Sequence, residues 1–220
     1  MIEPISPRQF HESDGVEDWR VVGEGACTYF LTGSFAAGAR LVNSISEIAD
    51  LDDHHPDLDL RHDGVTVRLI TYADNYYGLS RRDVELARKI SAVAREMGLA
   101  ADPSAVQTFQ LTIDALVSAD VMPFWRAVLG YEYRNDGDED VIDPRWRGAP
   151  IWFQPMDVPR PQRNTIHIDL WVPHDEAEAR VTDALAAGGR LVTDKHAPMW
   201  WTLADPEGNE VDVCTWQARD

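Results

Sequence analysis

Cysteine is scarce in this sequence: Cys27 and Cys214 are the only two in 220 residues. Two distant thiols with no CxxC spacing exclude a disulfide framework and a cysteine zinc site. A reducing, cytoplasmic compartment is the expectation. Basic side chains are also few, 20 against 38 acidic ones, for a formal net charge of −18. Such a surface repels phosphate backbones and anionic lipid, so nucleic acid is not an expected partner, and the charge reads as solubility. No apolar run approaches the roughly 18 residues of a membrane span. The segment Met1-Ile2-Glu3-Pro4-Ile5-Ser6-Pro7 lacks a charged-then-apolar signal pattern, so no membrane partner is expected either.

What is present is an ordinary globular balance, 44% hydrophobic and 26% charged, over a length that suits two small domains. Gly98 to Ser104 reads as a linker because Asp102-Pro103 breaks a helix. The expected domains are 1–99 and 105–220. In the first, Trp19 to Val22 and Ala26 to Thr32 read as strands. Leu41, Val42, Ile45 and Ile48 mark a helix face, Asp50 to Asp59 an acidic loop, and Val65 to Thr71 a β-branched strand. Ser80 to Met97 reads as a helix, with Ser80 and Asp83 spaced as in a capping box.

The second half shows one pattern twice. Strand Phe109 to Val117, helix Met122 to Leu129 closed by Gly130, and strands at 131–134, 140–143 and 149–154 make the first copy. Strand Thr165 to Val172, helix Glu176 to Ala187 closed by Gly188-Gly189, and strands at 191–193, 200–204 and 210–216 make the second. Two βαβββ units in tandem are expected.

The acidic loop carries the first chemistry. His54 and His55 stand among five aspartates, whose carboxylates favour the imidazolium. Histidine titrates near neutrality, so the pair suits proton transfer to and from a substrate. Pro56 forces His55 into an extended backbone. The same residues also read as a solvated acidic loop, or as a weak metal site.

Phe30, Phe35, Leu41, Ile48, Asp50, His54-His55-Pro56, Val65 to Thr71 and Gly78-Leu79-Ser80-Arg81-Arg82-Asp83 together resemble pterin-4a-carbinolamine dehydratases over roughly residues 15 to 97. The resemblance implies an antiparallel sheet with helices on one face. It also implies loss of water from a 4a-hydroxytetrahydropterin, with no metal or redox cofactor required. By the same resemblance His54, His55 and Asp83 are catalytic candidates, and Pro56, Asp57 and His62 contact the substrate, His62 standing where the family has an aromatic. One departure is marked: the third histidine position holds Tyr72, after Thr71. The unperturbed pKa of tyrosine, about 10, makes it a poor proton acceptor near neutrality, and the loss of one acid/base group typically costs about 10²- to 10⁴-fold in rate. The loop 73–77 is also longer than the family's by about two residues. Asp83 reads equally as a helix cap.

Phe124-Trp125-Arg126-Ala127-Val128-Leu129-Gly130-Tyr131, Thr165 to Leu170, and Asp205-Pro206-Glu207-Gly208-Asn209 resemble the glyoxalase, bleomycin-resistance and extradiol-dioxygenase (vicinal oxygen chelate) superfamily over about 107 to 217. The fold class expected for the whole chain is therefore α+β. That superfamily hosts isomerases, dioxygenases and binding proteins, so it does not fix a reaction. Its metal-using members imply ligands at Gln110, His167 and Asp212, with the fourth position near the apolar Trp152 or Phe153. A divalent metal there stands beside the alternative that His167 and Asp212 only form hydrogen bonds. Seven of the eight tryptophans lie in this half. Trp152 and Trp171 are expected to line a cavity for a pterin or another flat heteroaromatic small molecule. Both resemblances imply a homodimer or higher homo-oligomer.

Overall fold

The computed structural model describes residues 2–23, 25–48, 54–73, 75–108, 110–134, 140–159, 167–172, 175–215 and 217–218. The chain divides into two compact units, Met1–Thr108 and Phe109–Asp220.

In the first unit, α1 (Pro7–His11) is followed by β1 (Arg20–Val22), β2 (Gly25–Leu31), α2 (Phe35–Ser46), β3 (Asp57–Leu60) and β4 (Gly64–Leu69). Then come β5 (Thr71–Ala73), β6 (Tyr76–Gly78), α3 (Arg81–Glu96) and β7 (Ala100–Ala101). The main sheet is antiparallel in the order β1-β2-β4-β3, and β7 pairs with the distal half of β2. Period-two patterning sorts its faces. Val65, Val67 and Leu69 of β4 are fully buried with Leu41 and Ile45 of α2 and Val84, Ala87 and Ile90 of α3. Thr66 and Arg68 point the other way and are half-buried. Trp19 lies inside this core and donates its indole N–H to Ser91 Oγ at 2.9 Å.

Three sequence expectations change here. Part of the acidic loop is strand: Asp57 to Leu60 pairs with β4, because Leu58 and Leu60 supply the alternating apolar face. Asp50, Asp52 and Asp53 lie outside the described residues. The strand expected through Thr71 stops at Leu69, and Thr71 opens a separate hairpin with β6. The segment expected as a linker contributes Ala100 and Ala101 to the sheet, opposite Leu31 and Phe30. Small side chains after Gly98, at φ 70°, let the chain fold back from α3 onto β2.

The second unit comprises β8 (Leu111–Ala115), α4 (Ser118–Leu129), β9 (Glu132–Tyr133), β10 (Asp140–Ile142) and β11 (Ile151–Pro155). A second set follows: β12 (Ile168–Trp171), α5 (Ala177–Ala186), β13 (Arg190–Thr193), β14 (Trp200–Ala204) and β15 (Glu210–Cys214). The sheets run β8-β11-β10-β9 and β12-β15-β14-β13, each with its first and last strand parallel. This is the βαβββ unit twice. Their apolar faces join one core around Phe124, Trp125, Phe153, Val211 and Val213.

A turn of the second copy also binds the first. Buried Asp205 accepts the indole N–H of Trp125 at 2.9 Å, the backbone N–H groups of Glu207 and Asn209, and the Asn209 amide. The Glu207 carboxylate accepts the N–H groups of Leu116 and Val117 at the start of α4. That anchor explains why α4 begins at Ser118 and not at Met122, with Pro123 inside its early turns. An acidic group at a helix N-terminus satisfies orphan donors and the helix dipole together. Gly130 ends α4 in the left-handed region, φ 69°.

Candidate functional site

The first unit builds its site where α3 begins. Ser80 is the N-cap of α3, and Asp83 reaches back to it in a capping box. Residues 3–5 lie alongside: Ile5 N–H bonds to the Leu79 carbonyl and Arg81 N–H to the Glu3 carbonyl. Asp83 is completely buried. Its Oδ2 receives the Ser80 N–H at 2.7 Å and the Thr71 hydroxyl at 2.7 Å, with the Ser80 hydroxyl at 3.2 Å. Its Oδ1 faces His54 Nε2 at 3.0 Å. The His54 side chain is 9% exposed.

The His54–Asp83 contact is an ion-pair distance without the alignment of a hydrogen bond. His54 Nε2 and Asp83 Oδ1 both remain buried without a hydrogen-bond partner among the described residues. Buried polar atoms are nearly always paired, so two facing orphans call for an explanation. Asp83 thus caps α3 through Oδ2, as its spacing from Ser80 predicts, and faces the His54 imidazole through Oδ1.

The other expected residues are distributed unequally. His55 is exposed while His54 is turned inward, as successive side chains of an extended segment diverge. Pro56 and Asp57 follow directly into β3. Asp57 stands across from Arg68 and bonds to its guanidinium at 3.2 Å. Arg68 also donates to the Tyr77 hydroxyl at 3.2 Å. Tyr72 lies opposite Tyr77 in the β5–β6 hairpin and is 46% exposed. Burial pushes its phenol above the usual tyrosine range, Asp57 adds to the shift, and Arg68 opposes it. Thr71 and Tyr72 are neighbours on one strand, so the hydroxyl at 71 enters the Asp83 network while the phenol at 72 faces away from it. Tyr76, on the Thr71 side of the hairpin, has its phenol raised by burial and by Asp83, and donates to the Leu79 carbonyl. His62 sits exposed in the β3–β4 turn. A four-residue strand spans roughly 13 Å, which carries that turn away from His54.

In the second unit His167, Asp169 and Asp212 bring three ligand atoms within 4.8 Å of one another. His167 Nε2 lies 3.2 Å from Asp169 Oδ1 and 3.8 Å from Asp212 Oδ2. Asp169 and Asp212 are direct partners across the parallel β12–β15 ladder. Asp169 was not foreseen. Its signal was available, because it stands two residues after His167 and so shares its face of the strand. Gln110 stands exposed just before β8, in the other sheet. Trp152 takes on β11 the rung that Asp212 takes on β15, opposite Thr112 as Asp212 is opposite Asp169. An imidazole and two carboxylates fit a divalent cation with open positions. An indole adds no ligand.

Of the tryptophans, Trp152 and Trp171 are exposed and Trp200 stacks on His196 with ring centroids 4.2 Å apart. Trp125 belongs to the core of this unit, and Trp201 packs against it partly buried. Trp216 lies outside the described residues.

Each unit matches a known family. Residues 3–93 match the family described as pterin 4 alpha carbinolamine dehydratase, and residues 110–214 match a glyoxalase-like domain. A protein of Nocardia farcinica, provisionally named as a pterin-4-alpha-carbinolamine dehydratase, is 38% identical over 78 residues, 36% of this chain and 80% of its own length. One from Mycobacterium leprae with the same name is 37% identical over 76 residues, 34% of this chain and 78% of its own. Among solved structures, a glyoxalase-related enzyme from Fulvimarina pelagi is 16% identical, covering 50% of this chain and 88% of its own, with a TM-score of 0.40. Through residues 3–93 the chain thus belongs to the pterin 4 alpha carbinolamine dehydratase family, while residues 110–214 are similar to a glyoxalase-like domain.

Proposed function

We propose that the first unit dehydrates a 4a-hydroxytetrahydropterin by histidine acid/base catalysis. The observation that carries this reading is buried Asp83 Oδ1 facing His54 Nε2 at 3.0 Å. A carboxylate beside one ring nitrogen favours a proton there and leaves Nδ1 as the acceptor. His54 then takes the proton from the ring N–H of the substrate, and the imidazolium formed is stabilised by Asp83. As that N–H bond breaks, a C=N bond forms to C4a and the C4a–O bond breaks. The departing oxygen takes a proton from His55, which stands on the exposed side, and leaves as water. Proton count and electron pairs balance without a redox partner. Tyr72 assists as a neutral hydrogen-bond donor.

The test follows quinonoid dihydropterin formation from the 4a-hydroxy compound. His54→Ala and His55→Ala are each expected to slow it about 10²-fold or more. Unchanged rates in both variants would remove the proposal.

A second reading is favoured by the His167, Asp169 and Asp212 cluster: the glyoxalase-like unit holds a divalent cation and binds a small molecule beside it. Such an ion supplies Lewis-acid polarisation of a bound oxygen. Metal analysis of gently purified protein, with Asp212→Ala as control, tests it. Equal metal content in the two proteins would sink this reading.

A further inference from the structure

We infer that Thr71 is a positioning residue for the His54–Asp83 pair, an inference that rests on the dehydratase reading. Thr71 is 3% exposed and sits at the start of β5, an element separate from the helix that carries Asp83. Its Oγ1 lies 2.7 Å from Asp83 Oδ2 and 2.6 Å from Ser80 Oγ. Each hydroxyl has a single proton to give. The two shortest contacts are satisfied together when Ser80 donates to Thr71 and Thr71 donates to Asp83. The Ser80 oxygen keeps its acceptor role toward the Arg82 N–H at 3.2 Å. Oδ2 thus receives two donors, the Ser80 N–H and the Thr71 hydroxyl, which fix the rotation of the carboxylate that leaves Oδ1 facing His54.

Ser80 and Thr71 differ in what they do. Ser80 also caps α3, so its removal disturbs the helix. Thr71 caps nothing. Its hydroxyl links the hairpin that bears Tyr72 to the carboxylate that serves His54. Without it, Oδ2 keeps the Ser80 N–H but loses its second anchor, and the carboxylate can turn away from the imidazole. Misplacement of a catalytic group by about 1 Å can cost about 10²-fold in rate.

The experiment compares Thr71→Val with Thr71→Ser. In Thr71→Val, kcat is expected to fall about 10- to 100-fold with KM changed less than about threefold, and Thr71→Ser to recover most of the loss. The second readout needs no turnover: ¹⁵N spectra of the His54 ring. Wild type and Thr71→Ser are expected to show one Nε2–H tautomer, and Thr71→Val an averaged pair. Should Thr71→Val not fold, Thr71→Ala is read in the same way. Wild-type ring signals and kcat in Thr71→Val would overturn the inference. So would a Thr71→Ser that melts early and loses activity as Thr71→Val does, since that pattern marks packing alone. If wild type itself shows no turnover, the dehydratase reading fails, and the ring spectra still decide whether Thr71 sets His54.

Discussion

Replacing Tyr72 is the sharpest probe of the departure this chain makes from its family. An ordinary phenol, with pKa about 10, is ionised in about one molecule per thousand at pH 7. Partial burial and Asp57 push Tyr72 higher still against the opposing Arg68, so that fraction only shrinks. A base present at less than about 10⁻³ forfeits the whole 10²- to 10⁴-fold that general base catalysis contributes. What Tyr72 retains is one hydrogen bond from a half-exposed hydroxyl, about 1 kcal/mol or roughly five- to tenfold in rate. Tyr72→Phe is therefore expected to lose no more than about tenfold, and Tyr72→His to gain about 10²-fold at pH 7. Stopped-flow absorbance of the quinonoid product at pH 6 to 9 measures both. Because the shift is upward, no rise in rate below pH 9 is expected from Tyr72. A loss near 10³-fold in Tyr72→Phe, together with a wild-type rate climbing from pH 7 to 9 that the variant lacks, would refute the reasoning.

Other consequences can be checked by stability and binding. Asp205→Ala strands the Trp125 indole N–H in the core and removes the acceptor of a whole turn, so a loss of about 3 kcal/mol is expected in denaturant unfolding of the second unit. Burial works against the charge on Asp143, but the N–H groups of Arg145, Gly148 and Arg147 prevail and hold its carboxyl below the usual range. Its stabilisation is present above the unfolded-state value near 4 and fades as pH falls through the lower folded value, so Asp143→Asn should flatten the acid limb of the thermal stability profile. Gly189→Ala places a methyl 2.3 Å from the buried Phe124 ring and 2.8 Å from the Ala184 carbonyl, and should lower the melting temperature by several degrees. Adding Mn²⁺ or Zn²⁺ should raise the melting temperature of wild type and leave Asp169→Ala unmoved.

Local chemistry was legible in the sequence where a residue acts on its own neighbourhood. The Ser80–Asp83 spacing announced a capping box, and Gly130 announced the end of α4. The two βαβββ copies were visible because each strand and helix carries its own period. What escaped was fixed across distance. Asp169 joins Asp212 only through the parallel register of β12 and β15. The first turn of α4 depends on Glu207, some ninety residues later. His62 occupies a plausible sequence position but lands in a turn, because Leu58 and Leu60 made a strand of what had read as loop. Thr71 looked like a strand residue beside the interesting Tyr72, and only the hairpin shows that its hydroxyl belongs to Asp83.

The turn at Asp205 to Asn209 has a bearing on how this protein can be dissected. An expressed fragment ending near residue 159 would contain a full strand and helix count for one repeat. It would still expose an indole N–H and two amides whose acceptors reside in the missing piece. Neither half of the glyoxalase-like region is then a self-sufficient building block, and any bisected version should recover its structure only when both pieces are supplied together.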